Sequence, residues 1–570
     1  MNSFLDDIIH YINNERNFKL IFIFLVVFLC IVKLPPLLTT DIQPWDEGMY
    51  ATRVLSIHIN GDFFDQSSHA IGEFYSISHA KKGFYSGSHP PLLIWTGYLS
   101  TLIFGINSIA LKIIPFICSL LCLYFIILIG KKLYDNKTGI FAALIFSSNI
   151  IFNVFSKRFQ FDIPYTLLIL ISFYLFILFT ENQKTRYNIL GGIVFGLCLM
   201  IKILVGFYIP IILFLSYLFL RKKINYKLKD LIIFTSIGAI IALPWHLYML
   251  INHGNNFLEY FLFFHIFDRA IVGVEQNVKA SGIFYHVNYL LSIIPFSILV
   301  FISLVKDAFN IKDLDWKKLF LWIWFITGLI ILTAFKTKLE VYVLLILTPA
   351  TFLIAKYIDE LTKSSFKEKL IVVFLTLLNI FWFASHYERP EIKTYILNFH
   401  NLYITLPLII VTLIAFYFIS KLIANRFNLA KLYYIFIVLF FICLNIFYLI
   451  SVPNWENTYE LSSIKKQIEL SGKKKIIYIS TNYRSNPQFS FYFNGLNLGW
   501  TGNDYSFELL DTKDGIDNVK MKLEALDKNN YQVIVEGDNI NRSAYVESDI
   551  FIPKDFRFIK KTPGYELYEN

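Results

Sequence analysis

The sequence is poor in charged residues. Only 16% of its 570 residues are Asp, Glu, Lys or Arg, whereas 56% are hydrophobic. A soluble protein of this length needs more charge to cover its surface, so the composition excludes an ordinary soluble enzyme. Apolar runs of roughly 17–25 residues, long enough to cross a hydrocarbon core, recur between residues 18 and 452. We therefore predict a polytopic α-helical membrane protein.

Cysteine is also scarce. All five cysteines lie inside apolar runs, at Cys30, Cys118, Cys122, Cys198 and Cys443. Cys118 and Cys122 share a helix face but have no second pair, which argues against a disulfide framework or a zinc–thiolate site. Residues 453–570 contain no glycine-rich phosphate loop and no dinucleotide fingerprint, and we find no internal repeat in the sequence.

The net charge of +10 lies largely in short loops between apolar runs. We interpret it as a topology signal and predict no nucleic-acid partner. Since positively charged loops stay on the cytoplasmic side, we assign that side to residues 130–137, 221–230, 306–318 and 363–369.

Thirteen transmembrane spans are predicted from the apolar runs. They lie near residues 18–38, 109–130, 138–155, 162–180, 187–201, 203–220, 231–250, 286–305, 318–335, 339–356, 369–385, 400–420 and 432–452. The polar N-terminus does not resemble a cleavable signal peptide, so the first span is expected to remain. A further apolar stretch, 89–105, is short and opens with Pro-Pro, and we predict an interfacial or re-entrant helix there.

The predicted domains follow from this topology. Residues 1–452 form a transmembrane domain, whose outer loop, 39–106, carries the interfacial helix. Residues 453–570 alternate short strand-like runs with an amphipathic stretch, which is typical of a small extracytoplasmic α/β domain. That domain is expected to cover the membrane site or to bind a partner.

Charged residues gather at the outer ends of the spans. The first pair, Asp46 and Glu47, follows the first span, and the others are Lys157, Arg158, Asp162, Lys202, His265, Asp268, Arg269, Lys336, Lys338 and Glu340. Ionisable residues at membrane depth are costly and are functional candidates by default. Basic groups there could hold a phosphate, and a carboxylate could accept a proton from an attacking hydroxyl or amine.

Each of these signals also has a structural interpretation. The acidic pair could be a solvated flank, Lys157 and Arg158 could snorkel, and Lys202 could only break a helical hairpin. His58, His69, His79 and His89 lie in the first loop without compact metal-ligand spacing, which is typical of surface residues.

Six motifs in one order resemble the GT-C glycosyltransferases, in the group that contains bacterial aminoarabinose transferases and protein O-mannosyltransferases. The resemblance covers roughly residues 15–360. Its motifs are "WDEGMYA", "HPPLLIWTGYL", "SKRFQFDIPYT", "LMIKILVGFYIP", "LPWHLYMLINHGNNFLEYFLFFHIFDRA" and "FKTKLEVYVLLILTPATFLIA".

The resemblance implies an inverting transfer of a sugar from a polyprenyl or dolichyl phosphate. In that reaction Asp46 would be the catalytic base and Asp162 would orient the acceptor or the sugar. The residues expected to bind substrate are Glu47, Tyr50, His89, Arg158, Lys202, His265, Arg269, Lys338 and Tyr342. His89 replaces a lysine of the family and is only partly charged at neutral pH.

The resemblance carries over no cofactor. Some relatives place a metal near the equivalents of Ser88 and His265, but serine is a poor ligand, so we predict no metal site and leave a divalent metal open. The expected partners are a polyprenyl-phosphate-linked sugar, membrane lipids and an acceptor that is lipid A, another glycan or a protein. The expected location is the cytoplasmic (inner) membrane, with the site facing the periplasm or exterior.

Two other functions fit a protein of this class. A transporter or flippase for a lipid-linked sugar would favour charges near the midplane and internal repeats, neither of which the sequence has. A ligase resembling O-antigen ligases would place its large outer loop late in the chain, whereas the long loop here follows the first span.

Overall fold

The computed structural model describes residues 15–66, 87–202, 206–273, 282–388, 402–456, 460–473, 475–480, 488–493, 506–511, 516–525, 531–536, 552–562 and 564–569. The helices before the tail are α1 (Glu15–Thr39), α2 (Asp46–Asn60), α3 (Leu92–Phe104), α4 (Ser108–Leu133), α5 (Asn136–Ser147), α6 (Ile150–Phe155), α7 (Asp162–Asn182), α8 (Thr185–Leu199), α9 (Tyr208–Leu220), α10 (Leu228–His253), α11 (Asn255–Leu258), α12 (Tyr285–Ile293), α13 (Ile298–Phe309), α14 (Trp316–Ala334), α15 (Leu344–Glu360), α16 (Phe366–Glu388), α17 (Leu402–Arg426) and α18 (Leu429–Glu456). A π-helical segment, Glu259–Val272, continues α11, and a 3₁₀ turn, Glu340–Val343, precedes α15.

Every predicted span coincides with a helix or a pair of helices. Within the described residues, seven helices are long and apolar enough to cross a membrane, or eight if one bent pair is counted as a span. The protein is thus a multi-pass membrane protein, and the count of thirteen crossings stays a prediction. Helix α3 has 13 residues and is about 20 Å long, and its interfacial placement stays a prediction.

The predicted span at 286–305 is not one straight helix. It divides into α12 and α13, which meet at an angle of 120°. Pro295 lies at the break and cannot continue a helix. The Asn379 side chain of α16 accepts a hydrogen bond from the Ile298 N–H (2.9 Å) and donates one to the Leu291 carbonyl (2.7 Å). It thereby satisfies backbone groups that the break leaves without helical partners.

A group of charged residues joins the four helices α13 to α16. It lies at the start of α14 and the end of α15, and these are the helix ends far from the candidate site. The Lys318 ammonium lies 2.8 Å from carboxylate oxygens of both Asp307 and Glu360. Lys306 pairs with Glu368 at 2.8 Å. We call these five residues the paired charge cluster. Lys318 and Asp307 are buried, so each charge depends on its partners for stabilisation.

The tail contains a five-stranded mixed sheet. Its elements are α19 (Leu461–Ser471), β1 (Lys475–Ser480), α20 (Gln488–Tyr492), β2 (Ser506–Asp511), α21 (Ile516–Glu524), β3 (Tyr531–Glu536), β4 (Arg557–Lys561) and β5 (Tyr565–Glu569). The strand order is β2-β1-β3-β5-β4, with β1 parallel to β2 and β3 and the other pairs antiparallel.

Alternate residues of the strands enter two different cores. Ile476 and Tyr478 of β1 pack into the main core shared with the membrane helices. Ile477 and Ile479 point to the other face, where they pack with Val519 of α21. This alternation follows from the two-residue period of a strand. The tail is therefore joined to the helical part by a continuous hydrophobic core.

Candidate active site

The first turn of α2 presents an acidic residue at the protein surface. Asp46 is the first residue of α2 and is exposed, and the Met49 N–H donates to the Trp45 carbonyl at 2.9 Å. Trp45 has a φ of 63°, which is rare and strained for a bulky residue. Strain of this kind concentrates at functional sites, so the entry into α2 is a candidate on its geometry as well as its chemistry.

Glu47 lies behind this surface. Its side chain is fully buried, and its two carboxylate oxygens accept hydrogen bonds from the backbone N–H groups of Gln43 and Phe159, each at 2.8 Å. The residue was predicted to bind substrate, but it is not among the residues that line the cavity described next. We infer instead that Glu47 positions the chain, because it ties the entry of α2 to the turn that carries Arg158 and Asp162.

A cavity of about 760 Å³ lies beside Asp46, and we call it the polar cavity. Nine of the eleven predicted site residues line it: Asp46, Tyr50, His89, Arg158, Asp162, Lys202, Arg269, Lys338 and Tyr342. They come from segments almost 300 residues apart in the chain. With Glu340 and Tyr285, which also line it, the fold gathers three acidic and four basic side chains, a histidine and three tyrosines around one space.

A second cavity of about 200 Å³ adjoins the first, and we call it the apolar cavity. Most of its walls are apolar side chains: Phe207, Ile211, Phe261, Ile266, Ile331, Leu332, Phe335 and Leu345. Four residues, His89, Lys202, Arg269 and Tyr342, line both cavities. His265 lines only the apolar one. We call the four common residues the shared wall. A ligand with a charged head and an apolar chain would fit across it.

His89 of the shared wall contacts a second histidine, His265. The rings of His89 and His265 lie edge to face, with 4.1 Å between their centroids. Burial, together with His265 and the guanidinium of Arg269, holds the pKa of His89 well below its usual range. The sequence suggested a partly charged imidazole, whereas this lowered pKa favours the neutral form. It can bind an anion as a hydrogen-bond donor rather than as a cation.

The two lysines of the polar cavity are held differently. The Lys202 ammonium lies over the Tyr342 ring, 5.2 Å from its centroid, a cation–π distance. The Lys338 ammonium donates to the Thr333 carbonyl at 2.8 Å and to the Leu332 carbonyl, near the end of α14. Burial lowers the pKa of Lys338. Lys338 thus has a helix-capping role in addition to its place in the cavity.

Arg269 is carried by the π-helical segment. That segment pairs with the chain before α15, because the N–H groups of Lys336 and Thr337 donate to the carbonyls of Ala270 and Arg269, each at 3.0 Å. π-Helical geometry often occurs at functional sites. Here the pairing brings Arg269 and Lys338 to one side of the polar cavity.

Three buried polar residues near the site were not among the predicted site residues. Lys157 was one of the charged candidates at the outer face, with snorkelling as the alternative. It is 1% exposed, and its ammonium lies 3.4 Å from the Thr40 hydroxyl. Lys112 is also buried and donates to the Asp41 carbonyl at 2.7 Å. A lysine inside the apolar run of α4 is a signal that could have identified Lys112. Asp41 carries no such signal in the sequence.

The histidines of the first loop do not all fall on described residues. His69 and His79 lie outside them, whereas the His58 imidazole is 2.8 Å from the Thr101 hydroxyl. Within the described ranges, no group of three or more His, Cys, Asp and Glu side chains is arranged to hold a metal ion.

Comparison with known proteins agrees with the resemblance found in the motifs. A family model described as dolichyl-phosphate-mannose-protein mannosyltransferase matches residues 88–250. An undecaprenyl phosphate-alpha-4-amino-4-deoxy-L-arabinose arabinosyl transferase of Wigglesworthia glossinidia brevipalpis is 24% identical over 63% of this chain and 62% of its own. An uncharacterized protein of Aquifex aeolicus is 24% identical over 51% of this chain and 56% of its own. The chain therefore spans less than two thirds of the length of these curated relatives.

The structural comparison covers nearly the whole chain. The crystal structure of ArnT from Cupriavidus metallidurans bound to undecaprenyl phosphate superposes with a TM-score of 0.62 at 12% identity, over 97% of this chain and 98% of that one. Its apo form gives a TM-score of 0.61. The fold is thus the GT-C fold expected from the sequence, and the predicted resemblance to this glycosyltransferase group is confirmed.

Proposed function

We propose that the protein is an integral membrane glycosyltransferase that moves a sugar from a polyprenyl-phosphate donor to an acceptor, with inversion at the sugar carbon. One observation carries the proposal. A polar cavity with carboxylates and an apolar cavity meet at a shared wall that contains Lys202 and Arg269. A lipid-linked sugar has the same order of parts, with a phosphate between an apolar chain and a polar sugar.

Each part of the donor is assigned to the region whose side chains match it in polarity and charge. Its lipid chain enters the apolar cavity, and its phosphate lies at the shared wall. There Arg269 and Lys202 make charge-assisted hydrogen bonds, while neutral His89 and the Tyr342 hydroxyl donate further ones. The sugar then extends into the polar cavity towards Asp162. His265 contributes from the apolar side of the wall.

The transfer step uses groups on opposite sides of the sugar. A hydroxyl or amine of the acceptor attacks the anomeric carbon, and Asp46 accepts the proton that the nucleophile loses. The bond from that carbon to the phosphate oxygen breaks, and its electron pair leaves with the lipid phosphate. Arg158, Arg269, Lys202 and Lys338 stabilise the negative charge that develops there. Asp162 and Tyr50 orient the sugar or the acceptor.

The place of the reaction is the outer face of the cytoplasmic membrane. Supporting this, the site lies at the start of α2 and the end of α14, whereas the positively charged loops lie at the opposite ends of the spans. The acceptor is lipid A, another glycan or a protein. The arabinosyl transferase relatives support a sugar carried on undecaprenyl phosphate.

The experiment compares wild-type protein with Asp46→Asn in proteoliposomes that contain membrane-extracted, radiolabelled polyprenyl-phosphate sugars as donors and the glycolipids and proteins of the same membranes as acceptors. Release of free polyprenyl phosphate is the readout. Loss of a general base costs about 10²–10⁴-fold in rate, so we expect at least a hundredfold loss in Asp46→Asn with donor binding retained. Glu259→Gln, an exposed carboxylate that lines neither cavity, is the matched control and is expected to turn over normally.

Two results would contradict the proposal. Normal turnover by Asp46→Asn would show that Asp46 is a solvated residue at the end of the first span and not the catalytic base. If wild-type protein consumes no donor but moves it across the bilayer, the protein is a transporter.

A further inference from the structure

The chain just before Asp46 is a meeting point of distant parts of the molecule. Residues 40–43, which we call the junction loop, connect α1 to the entry of α2. Thr40, Asp41, Ile42 and Gln43 are all buried, with exposed fractions of 8% or less. A buried loop must find partners for its polar backbone groups, and the junction loop finds them on both the membrane helices and the tail.

On the membrane side, the partners are buried charges. The Lys112 ammonium donates to the Thr40 hydroxyl at 2.9 Å and to the carbonyls of Thr40 and Asp41. Glu47 accepts from the Gln43 N–H. These contacts fix both ends of the junction loop to the helical part, but they leave the Ile42 N–H and the Asp41 carboxylate to be satisfied elsewhere.

On the tail side, two groups complete the loop. The Ile42 N–H donates to the Tyr492 hydroxyl at 3.0 Å, and the Ser462 N–H donates to an Asp41 carboxylate oxygen at 2.8 Å. Tyr492 also hydrogen-bonds to the Asp41 side chain, and burial raises the pKa of Tyr492 well above its usual range. The hydroxyl is therefore protonated at any physiological pH and can accept from Ile42 while it donates to Asp41.

Packing places the tail directly on the helix that carries Asp46. Helix α20, which ends at Tyr492, packs against α2. Its aromatic residues Phe489, Phe491 and Tyr492 belong to the same buried core as Met49 and Tyr50 of α2. The contact is thus a packed interface with directional hydrogen bonds, and Asp46 follows Ile42 by only four residues.

We propose that Tyr492 is a positioning residue for the transfer reaction, through which the C-terminal domain holds the junction loop and so fixes Asp46 in its working orientation. The C-terminal domain would then contribute a positioning residue to the active site. The catalytic consequence rests on the proposed function, whereas the effect on the junction loop does not.

The test uses the full-length chain in nanodiscs and the variant Tyr492→Phe, which removes one hydroxyl and keeps the ring. Tyr568→Phe is the matched control, because the buried Tyr568 hydroxyl donates to Glu566 at 2.9 Å within the tail and lies in the core on the other face of the sheet. Hydrogen–deuterium exchange of residues 40–50 is measured beside kcat and the KM for the lipid-linked donor.

We expect faster exchange of residues 40–50 in Tyr492→Phe and a kcat lowered by about ten- to a hundredfold, since a small displacement of a catalytic group has effects of this size. The KM for the donor should change less than threefold, because the shared wall is untouched. Asp41→Asn should resemble Tyr492→Phe, and the double variant should be less than additive because both changes break one network.

Three outcomes would overturn the proposal. Unchanged exchange of residues 40–50 in Tyr492→Phe would show that the hydroxyl does not hold the loop. Faster exchange with an unchanged kcat would show that the loop does not position Asp46. An equal loss of kcat in Tyr568→Phe would show a general loss of stability. If wild-type protein transfers no sugar, the proposed function fails, while the exchange measurement still decides whether Tyr492 holds the loop.

Discussion

The paired charge cluster and the shared wall lie at opposite ends of the same two helices, and they use charge in different ways. In the cluster, the Lys318 ammonium lies 2.8 Å from two carboxylates. At the shared wall, Lys202 and Arg269 face the space where two cavities meet. Charge that is neutralised within the protein stabilises the fold, whereas charge directed into a cavity is available to a ligand.

The largest expected effect is the loss of stability on replacing Lys318. Lys318→Met leaves buried Asp307 and half-buried Glu360 without their common cation, and breaking a buried pair in this way costs about 3–5 kcal/mol. We expect a large fall in the thermal unfolding temperature, with normal turnover by the molecules that remain folded. Lys312→Met, at an exposed lysine nearby, is the control. Unchanged stability in Lys318→Met would show that the paired charge cluster does not stabilise the fold, and so would not differ from the shared wall in this respect.

The converse prediction concerns Arg269. Arg269→Gln removes a charge from the shared wall, so we expect kcat/KM for the donor to fall about a hundredfold, by analogy with the loss of one group that stabilises a developing anion. The unfolding temperature should change less than in Lys318→Met, because Arg269 is half-buried at a cavity wall whereas Lys318 is buried. A large loss of stability with retained kcat/KM would show that Arg269 stabilises the fold and does not bind the donor.

A smaller effect is predicted at the bend between α12 and α13. Asn379→Leu removes the side chain that hydrogen-bonds to the Ile298 N–H and the Leu291 carbonyl. These half-buried backbone groups then lose their partner, at a cost of about 1–3 kcal/mol. Thermal unfolding in detergent measures this loss. Asn310→Leu, at an exposed asparagine after α13, should be nearly neutral, and equal effects of the two variants would contradict this account of the bend.

The smallest effect is a dependence on pH. Since the folded pKa of His89 is depressed, the unfolded chain binds a proton at mildly acidic pH that the folded protein does not. Stability from this group is present above the usual histidine pKa and falls as the pH drops below it, by about 1 kcal/mol per pH unit. Between pH 7.5 and 5.5, His89→Gln should therefore lose less stability than wild type. An equal loss in both would show that His89 does not titrate in this way.

Much of the fold could be predicted from the sequence, because membrane spans are long apolar runs. The break at Pro295 was missed since a proline in an apolar run does not by itself distinguish a bent span from a straight one. The candidate site residues were recognised by their motif context, and nine of them do line one cavity. Glu47 shows the limit of prediction from sequence. Its neighbour Asp46 has the same chemistry, and only the tertiary structure separates the exposed carboxylate from the buried one.

The tail shows a second limit. Tyr492 and Asp41 are 451 positions apart, and the sequence gives no pattern that joins them. Their contact depends on how the sheet docks on α2 through a shared core. Such long-range polar contacts follow from the packed structure rather than from local periodicity.

The most direct test of the central claim is to measure the binding of undecaprenyl phosphate by native mass spectrometry to wild type, Arg269→Gln and Lys318→Met in nanodiscs. We expect one bound lipid phosphate per chain in wild type, strongly reduced binding in Arg269→Gln, and retained binding in folded Lys318→Met. Equal binding by wild type and Arg269→Gln would contradict the claim that the shared wall holds the lipid phosphate.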